Sequence, residues 1–161
     1  MFEVDSVAHA TRATITRCGM VWFPNDAVAM SMRYAHALAE LRTRPVVDDV
    51  PVAETVAAQH VADGIVHAIS PYMAADALVD RVLAQAQAHT HCMTWSPVRA
   101  LTALVALLRR AVRQVLAYNA HHPAFPLSAD DTAMFARRSL VLSLVWAAAG
   151  EATRGVRGLL G

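Results

Sequence analysis

From Asp26 onward, apolar residues recur with the period of a helix. Between 26 and 42, Met30, Tyr34, Leu38 and Leu41 fall on one face, and Arg33, His36 and Glu40 on another. Steps of three and four residues return a helical side chain to the same side, so this stretch predicts an amphipathic helix. RPVVDDVP, residues 44–51, sets two aspartates between prolines and predicts a loop. A second helix is predicted over 52–69, with Ala58, Val61, Ala62, Ile65 and Ile69 inward and His60, Asp63 and His67 outward. Ser70 and Pro71 break it, and Ala75, Leu78, Val79, Val82 and Ala86 carry a third helix to about Ala88.

The fourth helix has the clearest start, because Ser96 can cap it and Pro97 suits a first position whose N–H would go unused. Its inward stripe is Leu101, Leu104, Val105, Leu108, Val112 and Val115, and it should end near Asn119, before the loop HHPAFP at 121–126. Ser128 and Asp131 resemble a capping box and open a fifth helix over 129–149. Beyond Leu140 that helix is apolar on every side, which predicts the centre of a bundle or a clamp by another domain.

Residues 1–24 read differently. Two β-prone runs, MFEV at 1–4 and MVWF at 20–23, flank a polar segment with no tight turn. Strands so short are not stable as a pair, so they predict a larger sheet with further strands upstream. The predicted fold class is mainly α, a bundle of about five helices preceded by two strands, in a piece of a longer chain.

Composition sharpens this picture. At 161 residues, 56% hydrophobic and 17% charged, with a mean hydropathy of +0.34, the chain is apolar for its size. A spanning helix needs roughly 20 apolar residues; the run at 139–150 is too short, and Arg109, Arg110 and Arg113 interrupt 100–118. Glu3 and Asp5 stand where a signal peptide would be basic. The expectation is a cytoplasmic chain with no membrane insertion, whose surplus apolar surface meets other protein. A net charge of +1 argues against nucleic-acid partners. Cys18 and Cys92 have no zinc-ligand spacing.

Little in the chain carries chemistry. Gly-rich phosphate loops, GxSxG, HExxH and paired carboxylates are all missing from the sequence, so an independent enzyme is not expected. His89, His91, Cys92 and Met93 are ligand-type side chains, with a helix end as the plainer reading. His121 and His122 read as loop residues. Arg109, Arg110 and Arg113 could meet an anion, against a solvated or ion-paired face. Arg17, just before the run at 20–23, could offer a planar fork of donors to phosphate oxygens of a neighbouring module, against an ordinary edge ion pair. Cys18 and Gly19 fit close packing there, and Cys18 has no reactive role.

These residues also carry a resemblance. MFEVDSVAHATRATITRCGMVWF, residues 1–23, resembles the last strands of the second AAA+ module of dynein heavy chains. Trp22 and YNAHHPAFPLS at 118–128 point to the cytoplasmic heavy chains, and LVLSLVWAAAGEA at 140–152 is similar to the family's apolar helix with its Trp and Gly-acid pair. The resemblance implies the end of a large α/β subdomain over 1–24, a small helical lid over 25–150 and a linker toward the next module over 151–161. It implies a piece of an ATP-driven, minus-end-directed microtubule motor, with Arg17 as the arginine finger to the preceding module's ATP and the lid as a mechanical element. Glu3 falls near the end of the sensor strand and takes no catalytic role.

No cofactor or metal is expected in this chain; ATP and Mg belong to the parent motor. The implied partners are neighbouring AAA+ modules and, in the parent complex, microtubules, intermediate, light intermediate and light chains and a second heavy chain, all in the cytoplasm and on the cytoskeleton. Thr16 in place of the more usual serine, Pro24-Asn25 and a short loop around Asp48 and Asp49 depart from the family pattern. The competing reading is a free-standing helical module that binds partner helices through its last helix; a third is a small metal protein centred on His91.

Overall fold

The computed structural model describes residues 6–21, 24, 27–43 and 52–150. Six α-helices follow one another there: α1 (Arg12–Arg17), α2 (Met30–Thr43), α3 (Val52–Ile69), α4 (Leu78–Gln87), α5 (Pro97–His121) and α6 (Ala129–Ala149), with a 3₁₀ turn at Ser70–Tyr72. The last five form the expected bundle. α5 touches α2, α3, α4 and α6, and α6 lies against α3, α4 and α5.

Both long helices start for local reasons, though not the same ones. Ser128 Oγ accepts the Asp131 N–H at 3.1 Å and donates to Asp131 Oδ2 at 2.7 Å, while Asp130 and Asp131 place negative charge at the positive end of α6. At α5, Pro97 opens the helix after an extended Ser96, but the serine makes no side-chain capping bond. Proline alone sets that boundary, through its fixed φ and absent N–H.

The core is the stripe expected of α5 meeting the inner faces of its neighbours. All six predicted α5 positions are buried, with Leu104 and Leu108 at 0% exposure. Ile65 and Ile69 of α3, Val79 and Leu83 of α4, and Leu140 and Leu144 of α6 close around them. On α6 this inner face also carries Ala136 and Ser143, and Ala148 and Ala149 are buried in the last turn. Side chains that small let helix axes approach closely.

One polar strut crosses the apolar interior. Tyr34, 1% exposed, donates its hydroxyl to Asp80 Oδ1 at 2.7 Å. Asp80 Oδ2 accepts the N–H of Asp76 at 3.0 Å, and Asp76 holds a left-handed φ of 59°. A single carboxylate thus ties α2 to the start of α4 and fixes the turn before it. Burial, then the hydrogen bond and charge of Asp80, push the Tyr34 phenol well above its ordinary pKa.

Two expectations change here. The third helix begins at Leu78, not near Ala75, and its seam is Val79, Leu83 and Ala86; Leu78 is 41% exposed. The Asp76 turn resets the phase of the helix. The first helix of the bundle begins at Met30, because Pro24 C=O accepts the Ala27 N–H at 3.0 Å in a preceding turn. At the other end of α5, Asn119 Oδ1 accepts the Leu127 N–H at 2.9 Å and closes the connection to α6.

Candidate functional site

Arg17 does not stand at the entrance of a strand. It is the last residue of α1, a short helix that the polar segment forms by itself. Thr11 caps it: the Thr14 N–H reaches Thr11 Oγ1 at 3.2 Å, and the Cys18 N–H returns to Thr14 C=O at 3.2 Å. Thr16 Oγ1 donates back to Arg12 C=O. Two threonines that bond to backbone groups, Thr11 and Thr16, favour one capped turn over an extended run. Met20 and Val21, 53% and 78% exposed, are not in a strand, and no strand occurs among the described residues. The rest of the two predicted strands, residues 1–4 and 22–23, lies outside the described residues, Glu3 among them.

No residue of α1 is buried. Arg17 is exposed and makes no ion pair among the described residues, and its charge lies at the helix's negative end. Chemically this is a guanidinium fork on a short, locally capped support, open to an anion from outside. Cys18 is exposed too, so the expected close packing around it is not seen, and Gly19 has open space where a side chain would be.

The other basic residues divide. Arg109 donates to Glu40 Oε1 at 2.9 Å, with both side chains 28% exposed, and so joins α5 to α2. Arg110 and Arg113 face solvent on the same helix. Arg33 and Arg99 were not singled out by the sequence, since no local spacing connects α2 with the start of α5. With Pro24, Ala27, Val28, Ser96 and Val98 they border an open cleft of about 520 Å³. Arg33 Nε donates to Val28 C=O at 3.1 Å, which turns that guanidinium along the cleft wall.

The histidines serve the scaffold. His91 Nε2 donates to Ala86 C=O at 2.7 Å at the end of α4, and the ring stacks on Trp95 with centroids 5.6 Å apart. Cys92 and Met93 are exposed, and no group of three or more His, Cys, Asp or Glu residues fit to hold a metal occurs among the described residues. His121 and His122 donate through Nδ1 to the carbonyls of Ala117 and Tyr118, ending α5, and His122 stacks on Tyr118 at 4.4 Å.

α6 presents the largest departure from a solvated surface. Val141, Leu142, Val145 and Trp146 are 52%, 65%, 40% and 70% exposed, although the opposite face of the helix is buried. The helix is thus not the centre of the bundle. No described helix is long and apolar enough to cross a membrane.

Comparison with known proteins bears on these features together. Residues 69–158 match the family model of the dynein heavy chain AAA lid domain. The chain is 38% identical to the cytoplasmic dynein heavy chain of Drosophila melanogaster over 98% of its own length, 36% identical to that of Fusarium vanettenii over 94%, and 33% identical to that of Neurospora crassa over 94%. It spans about 4% of the length of each of these relatives. A helical bundle with the lid family's signature across α4, α5 and α6, and cytoplasmic relatives along nearly its whole length, belongs to the dynein heavy chain family.

Proposed function

We propose that the chain works as part of the AAA+ motor ring of a dynein heavy chain, an ATP-driven, minus-end-directed microtubule motor. Residues 1–24 would end a large α/β subdomain, 25–150 form the lid, and 151–161 lead toward the next module. The lid match over 69–158 carries this reading, supported by the packed core that α2 to α6 share. The chain supplies no complete nucleotide site; ATP and Mg would be bound by the parent motor. Its immediate partners would be neighbouring modules of the same heavy chain. Microtubules, the smaller dynein chains and a second heavy chain are partners of the whole complex, in the cytoplasm and on the cytoskeleton.

In this reading Arg17 reaches in trans to the ATP of the preceding module. Its exposed place on α1 and its freedom from ion pairing among the described residues support the role. A chimaeric Drosophila heavy chain, carrying this chain in place of its matching segment, tests both parts through microtubule-stimulated ATPase. The chimaera is expected to turn over, and Arg17→Ala to cost on the order of 10³-fold or more. An Arg17→Ala rate equal to that of the unmutated chimaera removes the finger and leaves the lid. A folded chimaera with no ATPase removes the lid.

The outer face of α6 favours a second reading, a helical interaction module acting apart from any motor. Flanking coding sequence separates the two, since phosphate loops on either side support the motor.

A further inference from the structure

α5 and α6 run antiparallel, so the start of one and the end of the other wall a common cleft. Arg99, Ala100 and Ala103 line it from α5, and Trp146, Ala147 and Ala148 from α6, around about 100 Å³. From this cleft two rows of side chains run side by side toward the connecting loop. Seven residues bring a helix back to nearly the same face, so Arg110 lies on the side of α5 that Ala103 shows to the cleft. Leu142 and Arg138 precede Trp146 at intervals of four on α6. Arg110 and Arg138 therefore stand two turns from the cleft, roughly 11 Å along the helices, with Leu142 between Arg138 and Trp146. Leu142 and Trp146 are 65% and 70% exposed, and Ala103, Arg110 and Arg138 are exposed too. The surface stops at the last turn of α6, where Ala149 is buried.

The charges along this trough have one sign. α5 holds four arginines and no Asp or Glu, and the acids of α6 are confined to its first turn, Asp130 and Asp131. Arg109 is taken by Glu40, whereas Arg110, Arg113 and Arg138 make no ion pair among the described residues. Exposed apolar side chains beside cations of one sign fit a partner that is apolar and acidic at once. The trough also sets the spacing: an aliphatic side chain for the cleft and Trp146, and a carboxylate seven or eight residues away for Arg110 and Arg138. A helix meets that spacing on a single face, and the groove between two packed helices is a seat for a third. The chain spans about 4% of the length of its relatives, so nearly all of a heavy chain lies outside it. We propose that the trough between α5 and α6 docks an acidic, amphipathic helix from another part of the same heavy chain, with a carboxylate against Arg110 and Arg138 and an aliphatic side chain beside Trp146. The inference rests on the reading of the chain as part of a heavy chain, and adds a contact that neither the lid match nor Arg17 assigns.

Photocross-linking in the chimaeric heavy chain tests it. A benzoylphenylalanine replaces Ala106, which is exposed and lies between Ala103 and Arg110, and peptide mass spectrometry identifies what it captures. A single helical segment of the same heavy chain is expected, outside the exchanged residues, with an Asp or Glu seven or eight residues from an aliphatic side chain. Arg110→Glu combined with Arg138→Glu should lower the yield on the order of tenfold or more, and replacing the captured carboxylate by Arg should restore it. Trp146→Ala should lower it by less. Both arginines are exposed, so the charge reversal leaves the helices intact, which hydrogen exchange over α5 and α6 checks. No cross-link, capture of a separate polypeptide, a captured segment without that spacing, or a yield indifferent to charge reversal each overturns the proposal. The cross-link is read on the folded chimaera whether or not it hydrolyses ATP, so this docking and the motor reading fail separately.

Discussion

α5 and α6 are the two long helices, and they use apolar residues differently. α5 leaves none of its leucines and valines exposed and turns Arg110, Arg113 and Gln114 outward. α6 buries a comparable stripe, then carries exposed apolar side chains at Met134, Val141, Leu142, Val145 and Trp146. Water imposes the α5 pattern on any helix at the rim of a soluble bundle. The α6 pattern exceeds what this fold needs. The leucines and valines of α5 are thus placed as folding requires, whereas in α6 a part of the apolar set lies outside the buried stripe.

The sharpest test of that division truncates one leucine on each helix. Leu104→Ala, inside α5's stripe, should cost about 2–5 kcal/mol in denaturant unfolding. If it costs less than 1 kcal/mol, α5 is not the centre of the core. Next in size is Tyr34→Phe, which removes the strut to Asp80 and should cost about 2 kcal/mol. Its pH signature is distinct. The folded chain keeps the Tyr34 proton above the ordinary value of 10.0, where the unfolded chain has lost it. The strut's contribution is thus complete below about pH 10 and declines as pH rises further, by at most about 1.4 kcal/mol per pH unit. Unfolding curves at alkaline pH should lose that slope in Tyr34→Phe; an unchanged slope would show that the phenol is not held by this contact.

Smaller effects compare the two helix starts. Ser128→Ala should cost about 1 kcal/mol, because its hydroxyl takes the Asp131 N–H. Ser96→Ala should be nearly silent, since Ser96 makes no such bond and Pro97 remains. Equal losses at both sites would mean that Ser96 caps in solution. The smallest effect is expected on the outer face of α6, where Leu142→Ala should change monomer stability by about 0.5 kcal/mol or less.

The bundle was legible where local signals agreed with packing. α3 and α6 have the predicted limits, Val52–Ile69 and Ala129–Ala149, because a regular apolar period, a proline-bounded loop and the Ser128 cap all point the same way. The phase of α4 was not legible, because the contact that sets it joins Asp80 to Tyr34, far away in sequence. α1 was misread for the opposite reason. Thr11 is a sound capping residue, but the reading took its segment only as the connection between two β-prone runs. The support of Arg17, a helix end instead of a strand entrance, was not legible. Trp146 could be read only as apolar; its exposure depends on which neighbours the fold supplies.

The loop between α5 and α6 gives the chain a place to vary. One side-chain bond, from the Leu127 N–H to Asn119, draws its two ends together, while Phe125 stands 79% exposed between them. A loop gathered at its base can lengthen at small entropic cost, roughly 0.6 kcal/mol for each doubling. An epitope, a fluorophore or a natural insertion placed beside Phe125 would then leave both long helices in register, making this hairpin a port for additions as well as a hinge between helices.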